Sequence, residues 1–162
     1  MTLIILVLNT TATFAQRASV SPKEFQLFTG NWEGALTYLD YSSNMPYIMP
    51  ANLIVRQLGV SNNFIFSNVY PNEPKANSFD TLTIAINNNM INRATIVSKK
   101  KLYNGDTEII TELLGKDGND NKQAIIKTTY KVGKFNLKNI KEVQFVGQQQ
   151  WIKRHEYSYH RK

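Results

Sequence analysis

The chain has 162 residues, no cysteine and a formal net charge of +7 at pH 7. A chain of this length can bury the core of one domain without covalent cross-links. The absence of cysteine excludes disulfides, a thiol nucleophile, a thiolate metal site and a lipidated N-terminal cysteine. The lysines are spread over predicted turns and alternate strand positions without interleaved aromatic residues, so we expect solvated charges and no nucleic-acid partner.

The first residues have the pattern of an export signal. An apolar run from Leu3 to Leu8 is followed by Thr13-Phe14-Ala15, which is typical of a signal-peptide cleavage site. The run is far shorter than the roughly 20 residues that a membrane-spanning helix needs. We therefore predict a signal peptide at residues 1–15 and one soluble domain at 16–162, secreted or periplasmic and without a membrane span.

A short helical turn is predicted ahead of the first strand. Ser21 is a suitable N-cap, and Pro22 suits the first helical position. Phe25 and Phe28 are three residues apart and therefore share one face of such a turn. We expect segment 22–28 to plug one end of the fold.

From there to the C-terminus the hydrophobic pattern has a period of two, which indicates strands. Turn signals such as Asn104-Gly105-Asp106 and Asp117-Gly118-Asn119 separate them. The pattern predicts about nine strands, at 31–41, 51–58, 63–70, 78–87, 90–99, 107–114, 123–132, 135–145 and 150–159.

Short connections force consecutive strands to pair antiparallel, which gives an up-and-down meander. Closure into a barrel removes the exposed edges of such a meander. The aromatic C-terminal strand, from Trp151 to Tyr159, supports closure by pairing back onto the first strand. The predicted fold class is all-β, a single antiparallel up-and-down barrel of about 8–10 strands with a short N-terminal helical turn.

Gly30-Asn31-Trp32-Glu33-Gly34 opens the first strand just after the helical turn. This opening resembles the Gly-x-Trp signature of the calycin superfamily, the lipocalins and their relatives. The resemblance implies a lipocalin-like barrel in which Gly30 and Trp32 close one end. It also implies that an arginine of the terminal strand packs across the tryptophan. Arg154 is the candidate that we predict for this role.

The resemblance further implies a cavity inside the barrel. We expect a monomer that holds a small hydrophobic molecule or lipid there, with polar groups that orient its head group. Alternation alone leaves open which strand face is interior. The predicted ligand-binding residues are Tyr38, Arg56, Phe64, Phe66, Tyr130 and Tyr157.

The sequence shows no set of residues that would support catalysis. No nucleophile with a base and no carboxylate pair stands out, so we predict no catalytic residues, no metal site and no cofactor. Two alternatives remain open. One is a filled barrel that acts through its outer surface as an envelope or extracellular interaction module. The other resembles the haem-binding nitrobindin-like branch, whose C-terminal histidine would correspond to His155.

Overall fold

A computed structural model describes residues 18–40, 43 and 45–162, and the predicted signal peptide lies outside them. The described part contains one short α-helix, α1 (Pro22–Phe25), which continues as a 3-10 turn over Gln26–Phe28. Ten strands follow: β1 (Gly30–Leu39), β2 (Pro46–Gln57), β3 (Asn63–Val69), β4 (Ser78–Thr83), β5 (Met90–Ile91), β6 (Ala94–Lys101), β7 (Thr107–Asp117), β8 (Lys122–Val132), β9 (Asn136–Phe145) and β10 (Ile152–Arg161).

The strands form one antiparallel sheet in the order β4-β3-β2-β1-β10-β9-β8-β7-β6-β5. Except for β4 and β5, strands that are consecutive in sequence pair with each other, and the first strand pairs with the last from Trp32↔Arg161 to Tyr38↔His155. The two ends of this order, β4 and β5, meet only at the bridge Ile84↔Ile91. The predicted up-and-down barrel is therefore confirmed, with a wall that is nearly closed.

One difference from the predicted strand bounds lies at the turn between β5 and β6. The predicted strand at 90–99 is two strands, because Asn92 has a φ of 54° and turns the chain between β5 and β6. A left-handed backbone of this kind ends strand pairing and is tolerated by asparagine. The tight turn leaves β5 only two residues long.

The helical turn covers one end of the barrel, as predicted. The hydroxyl of Ser21 accepts a hydrogen bond from the Glu24 amide, and the Glu24 carboxylate accepts one from the Ser21 amide, which forms a capping box. Phe25 and Phe28 are fully buried and stacked with ring centroids 4.1 Å apart. This end is called the helix end below, and the other is the far end. No helix among the described residues is long and apolar enough to cross a bilayer.

Trp32 is locked to the helix end by its indole. The indole N–H donates to the Phe28 carbonyl at 2.8 Å, and the ring is 1% exposed. Gly34 is required two residues later, because a Cβ there would collide with the backbone of Ser158 on β10. Gly30 has a φ of +133°, and a Cβ there would collide with the Arg161 guanidinium. The two glycines that flank Trp32 therefore allow β10 to lie close to the start of β1.

The arginine that covers Trp32 is Arg161, and the prediction of Arg154 is wrong. The Arg161 guanidinium carbon lies 4.0 Å from the centroid of the Trp32 ring. Its nitrogens donate to the carbonyls of Thr29, Leu27 and Lys134 at 2.8, 2.9 and 2.7 Å. Arg154 is near the start of β10, and an antiparallel pair places the start of one strand opposite the end of the other. Its Nε donates to the Asp117 carboxylate instead, at 2.7 Å.

The barrel wall has a gap in its far half. The pairing of β6 with β7 stops at Thr95↔Glu112, and residues 113–117 of β7 pair only with β8. On the other side, β4 pairs with β3 and, apart from the bridge and hydrogen bonds near Asn92, with no other strand of the described chain. The wall is open between these two strand edges.

Candidate functional site

The barrel encloses a cavity of about 350 Å³ that reaches the gap beside β4. Cavities of roughly 300–1,000 Å³ are typical of small-molecule sites. This one, the barrel cavity, has side chains from β2, β3, β4, β8, β9 and β10 in its lining, together with Asn92. The lining residues are Leu53, Phe66, Asn68, Asp80, Thr81, Leu82, Asn92, Tyr130, Leu137, Asn139, His155, Tyr157 and Tyr159.

One row of side chains across three strands makes the polar wall of the barrel cavity. Tyr130 pairs with Asn139 across β8 and β9, and Asn139 pairs with Tyr157 across β9 and β10. Cross-strand partners project to the same face of a sheet, so the three groups point inward together. The hydroxyls of Tyr157 and Tyr70 are 2.7 Å apart and share a hydrogen bond.

The side-chain oxygen of Asn139 is buried and accepts no hydrogen bond from any described residue. A buried acceptor without a donor costs roughly 1–3 kcal/mol. A donor group on a bound molecule would remove this cost. The position of Asn139 between two tyrosines of the cavity wall makes it the group that points most directly to a ligand.

The tyrosines of this wall stay protonated at neutral pH. Burial raises the pKa of Tyr130 to about 12. Burial and the hydrogen bond with Tyr70 raise the pKa of Tyr157 as well. Both phenols therefore offer a hydroxyl that can donate or accept, and neither supplies a negative charge.

His155 also lines the barrel cavity and is neutral at neutral pH. Burial lowers its pKa to about 4, and the positive charge of Lys141 adds to this effect. Its ring lies 5.2 Å from that of Tyr157, edge to face. A neutral imidazole keeps one nitrogen lone pair available for a hydrogen bond or a metal.

A buried ion cluster lies beyond His155 toward the far end. The Asp117 carboxylate accepts hydrogen bonds from Lys141 and Arg154, both at 2.7 Å. Burial alone would raise the pKa of Asp117, but the two cations outweigh it and leave that pKa below its ordinary value. The single carboxylate thus holds two cations, and the cluster carries a net positive charge beside the cavity.

Comparisons with known proteins support the fold and nothing finer. The crystal structure of Rv2717c from M. tuberculosis is similar, with a TM-score of 0.51 and 12% sequence identity. The match covers 86% of this chain and 96% of that one. At this identity the likeness concerns the fold alone. No protein-family model matches the chain, and no curated protein does.

Three of the six predicted ligand-binding residues line the barrel cavity, namely Phe66, Tyr130 and Tyr157. Phe64 faces inward but packs edge to face on Phe25 at 4.9 Å, so it belongs to the plug of the helix end. Tyr38 packs at the edge of the core, where its ring lies 5.4 Å from that of Tyr47. Whether any of them binds a ligand stays a prediction.

Arg56 was predicted to bind the ligand, but it does not line the barrel cavity. It follows the buried Val55 on β2 and is itself exposed, so its side chain is on the outer face of the barrel. Alternation along the strand forbids both from facing the interior. The head-group role predicted for Arg56 is therefore wrong.

The sequence prediction missed Asn139 and Asn68 and treated His155 only as an alternative. Asparagine in a strand carries no periodic hydrophobic signal, so neither residue stands out. A usable signal was the alternation at the start of β9, in which Lys138 separates Leu137 from Asn139 and therefore faces the opposite side of the sheet. Only the pairing partners show which parity faces the cavity.

Proposed function

We propose that this protein is a binding protein that holds one small molecule in the barrel cavity. The buried Asn139 oxygen without a hydrogen bond is the observation that carries this proposal. A filled barrel acting only through its surface has no need of such a group beside a cavity of about 350 Å³.

The lining favours a small, partly apolar molecule with at least one N–H or O–H group. Leu53, Phe66 and Leu137 offer apolar contacts for its body. The Asn139 oxygen would accept from its donor, and the Tyr157 hydroxyl would bond a second polar atom. This composition fits an amphipathic ligand better than a plain hydrocarbon.

The first experiment is native mass spectrometry of freshly purified protein, to detect a co-purified molecule and the expected monomer. The second is titration with an environment-sensitive apolar dye, with saturation at one equivalent expected. Asn68→Trp should abolish binding, because residue 68 lines the cavity. Ser67→Trp is the matched control, since the adjacent residue on β3 faces the opposite side of the wall.

A separate variant tests the role of Asn139. Asn139→Leu removes the unbonded acceptor and keeps the side-chain size, so we expect unchanged or higher stability. Binding of the apolar dye should persist, and binding of ligands that donate a hydrogen bond should weaken by about tenfold, the value of one good hydrogen bond. Equal loss of both ligand types, or binding that survives Asn68→Trp, would contradict the proposal.

Haem is a second candidate, favoured by the neutral imidazole of His155 in the cavity lining. When bound, haem would supply an iron centre for which His155 is the available nitrogen ligand. A Soret shift on haem titration that disappears in His155→Ala would support this candidate. The His160→Ala variant is the control, because that side chain is exposed on the other face of β10.

We also propose that the protein works outside the cytoplasm, as the N-terminal sequence predicts. The expected mature N-terminus is Gln16 or a residue close to it. N-terminal sequencing of the protein from culture medium or periplasm tests this directly. An intact Met1 in that fraction would contradict export by cleavage.

A further inference from the structure

Four turns close the helix end of the barrel, and each carries a large exposed apolar side chain. The turns connect β2 to β3, β4 to β5, β6 to β7 and β8 to β9. Their exposed residues, which we call the apolar tips, are Val60, Ile86, Tyr103 and Phe135. Single exposed apolar residues are common on protein surfaces. An exposed apolar residue on every turn of the same end is typical of an interaction surface.

The helix end is also basic once its ion pairs are taken into account. Glu24 is paired with Lys99 at 2.6 Å, and Glu108 is paired with Lys100 and Lys131 at 2.9 and 3.0 Å. Asp106 is buried and accepts a hydrogen bond from Asn136 at 2.7 Å. The carboxylates near this end are therefore occupied by groups of the chain itself.

Three cations beside the last turn of this end bond to carbonyls or an aromatic ring and not to a carboxylate in the described part of the chain. Lys101 donates to the Gly105 carbonyl, Lys134 lies over the Phe135 ring, and Arg161 donates to three carbonyls. These side chains line a shallow groove of about 510 Å³ together with Leu27 and Phe135. Cationic and apolar side chains thus alternate over one surface.

We propose that the helix end docks on an anionic membrane surface. The apolar tips lie on four separate turns around the barrel, and a broad interface can receive all of them at once. Their side chains would enter the boundary between head groups and acyl chains, and Lys101 and Lys134 would contact lipid phosphates. The far end would face the aqueous phase.

Charge complementarity favours a lipid surface over a soluble apolar partner. Anionic lipids attract basic residues within a Debye length of the surface, and no carboxylate of the described chain pairs with Lys101 or Lys134 to oppose this attraction. The guanidinium of Arg161 is fixed by its three carbonyl bonds, so its charge is held at this end and adds to that of the lysines.

The test is co-sedimentation of the purified protein with vesicles, all variants having the same N-terminus. We expect binding to phosphatidylcholine vesicles that contain about a quarter phosphatidylglycerol, and much weaker binding to phosphatidylcholine alone. Tyr103→Ser with Phe135→Ser should weaken binding by at least about tenfold, and so should Lys101→Glu with Lys134→Glu. Raising the salt should weaken binding of the wild type.

Matched variants at the far end keep the test specific. Met45→Ser with Val146→Ser removes two exposed apolar residues there, and Lys75→Glu with Lys116→Glu changes the net charge by the same amount. Both should bind vesicles like the wild type. Circular dichroism should show all variants folded, because every substitution is on the surface.

Three results would overturn the proposal. They are no binding to anionic vesicles, equal losses from helix-end and far-end variants, and a charge effect without any effect of the apolar tips. Retention by a soluble polyanion that depends on Lys101 and Lys134, without vesicle binding, would instead point to an acidic macromolecule. The outcome does not depend on whether the barrel cavity binds a ligand.

Discussion

Replacing Arg161 by Met should destabilise the barrel by about 3 kcal/mol. The side chain loses one contact with an aromatic face, worth about 0.5–1 kcal/mol at a partly exposed site. It also loses three hydrogen bonds from a charged group. Such bonds contribute about 1.5–3 kcal/mol each when buried, and we take less than 1 kcal/mol each here because Arg161 is half-buried and the carbonyls can regain water.

The assay is urea unfolding followed by circular dichroism, with the free energy of unfolding obtained by linear extrapolation. Arg161→Lys is the informative intermediate. Its ammonium keeps the charge but cannot reach three carbonyls in one plane, so about half of the loss should remain. The m-value should stay constant if the variants unfold in two states.

A double-mutant cycle separates Arg161 from Arg154. Trp32→Leu and Arg161→Met should couple by about 0.5–1.5 kcal/mol, because the two side chains touch. Trp32→Leu and Arg154→Met should be additive within about 0.5 kcal/mol, because Arg154 contacts Asp117 at the other end of β10. Additivity for Arg161 together with coupling for Arg154 would refute the assignment of the covering arginine.

Three further predictions concern single positions. Gly34→Ala should cost at least about 3 kcal/mol, because its Cβ meets backbone of β10, whereas Gly115→Ala should cost little, because only the flexible end of the Ile126 side chain is in the way. Asp117→Asn should cost about 3 kcal/mol because it removes the buried negative charge that bonds Lys141 and Arg154, and the exposed Asp120→Asn should cost less than about 0.5 kcal/mol. Unfolding by urea measures all four, and similar costs within either pair would contradict the reasoning. The wild type should lose up to about 3 kcal/mol as the pH falls from 6.5 to about 4, because the unfolded chain protonates His155 first. A His155→Gln variant with an unchanged pH profile would refute that cause.

The architecture followed from alternation and turn chemistry alone. Period-two segments separated by short turns permit few arrangements other than a meander, and an aromatic last strand favours closure. The helical plug followed from Ser21, Pro22 and the spacing of two phenylalanines. These features are local, so the sequence contains what is needed to predict them.

Arg154 was wrongly predicted as the arginine that packs on Trp32, although the geometry of antiparallel pairing could have prevented the error. Trp32 stands near the start of β1, and the start of one strand lies opposite the end of an antiparallel partner. That rule selects the last arginine, Arg161, over Arg154. The predicted strand ended at Tyr159, two residues too early, which left Arg161 outside the strand.

The residues of the candidate site could not be predicted together, because only the pairing register of the strands brings them side by side. Tyr130, Asn139 and Tyr157 come from three different strands and meet only because each is the direct partner of the next. A slip of one residue in β9 would replace Asn139 by Lys138 or Ile140 and turn the amide toward the solvent. Turn lengths and the packing of Leu137 fix this register in the folded barrel. Single-strand alternation limits each residue to one of two faces, and only the closed sheet decides which side chains share a cavity.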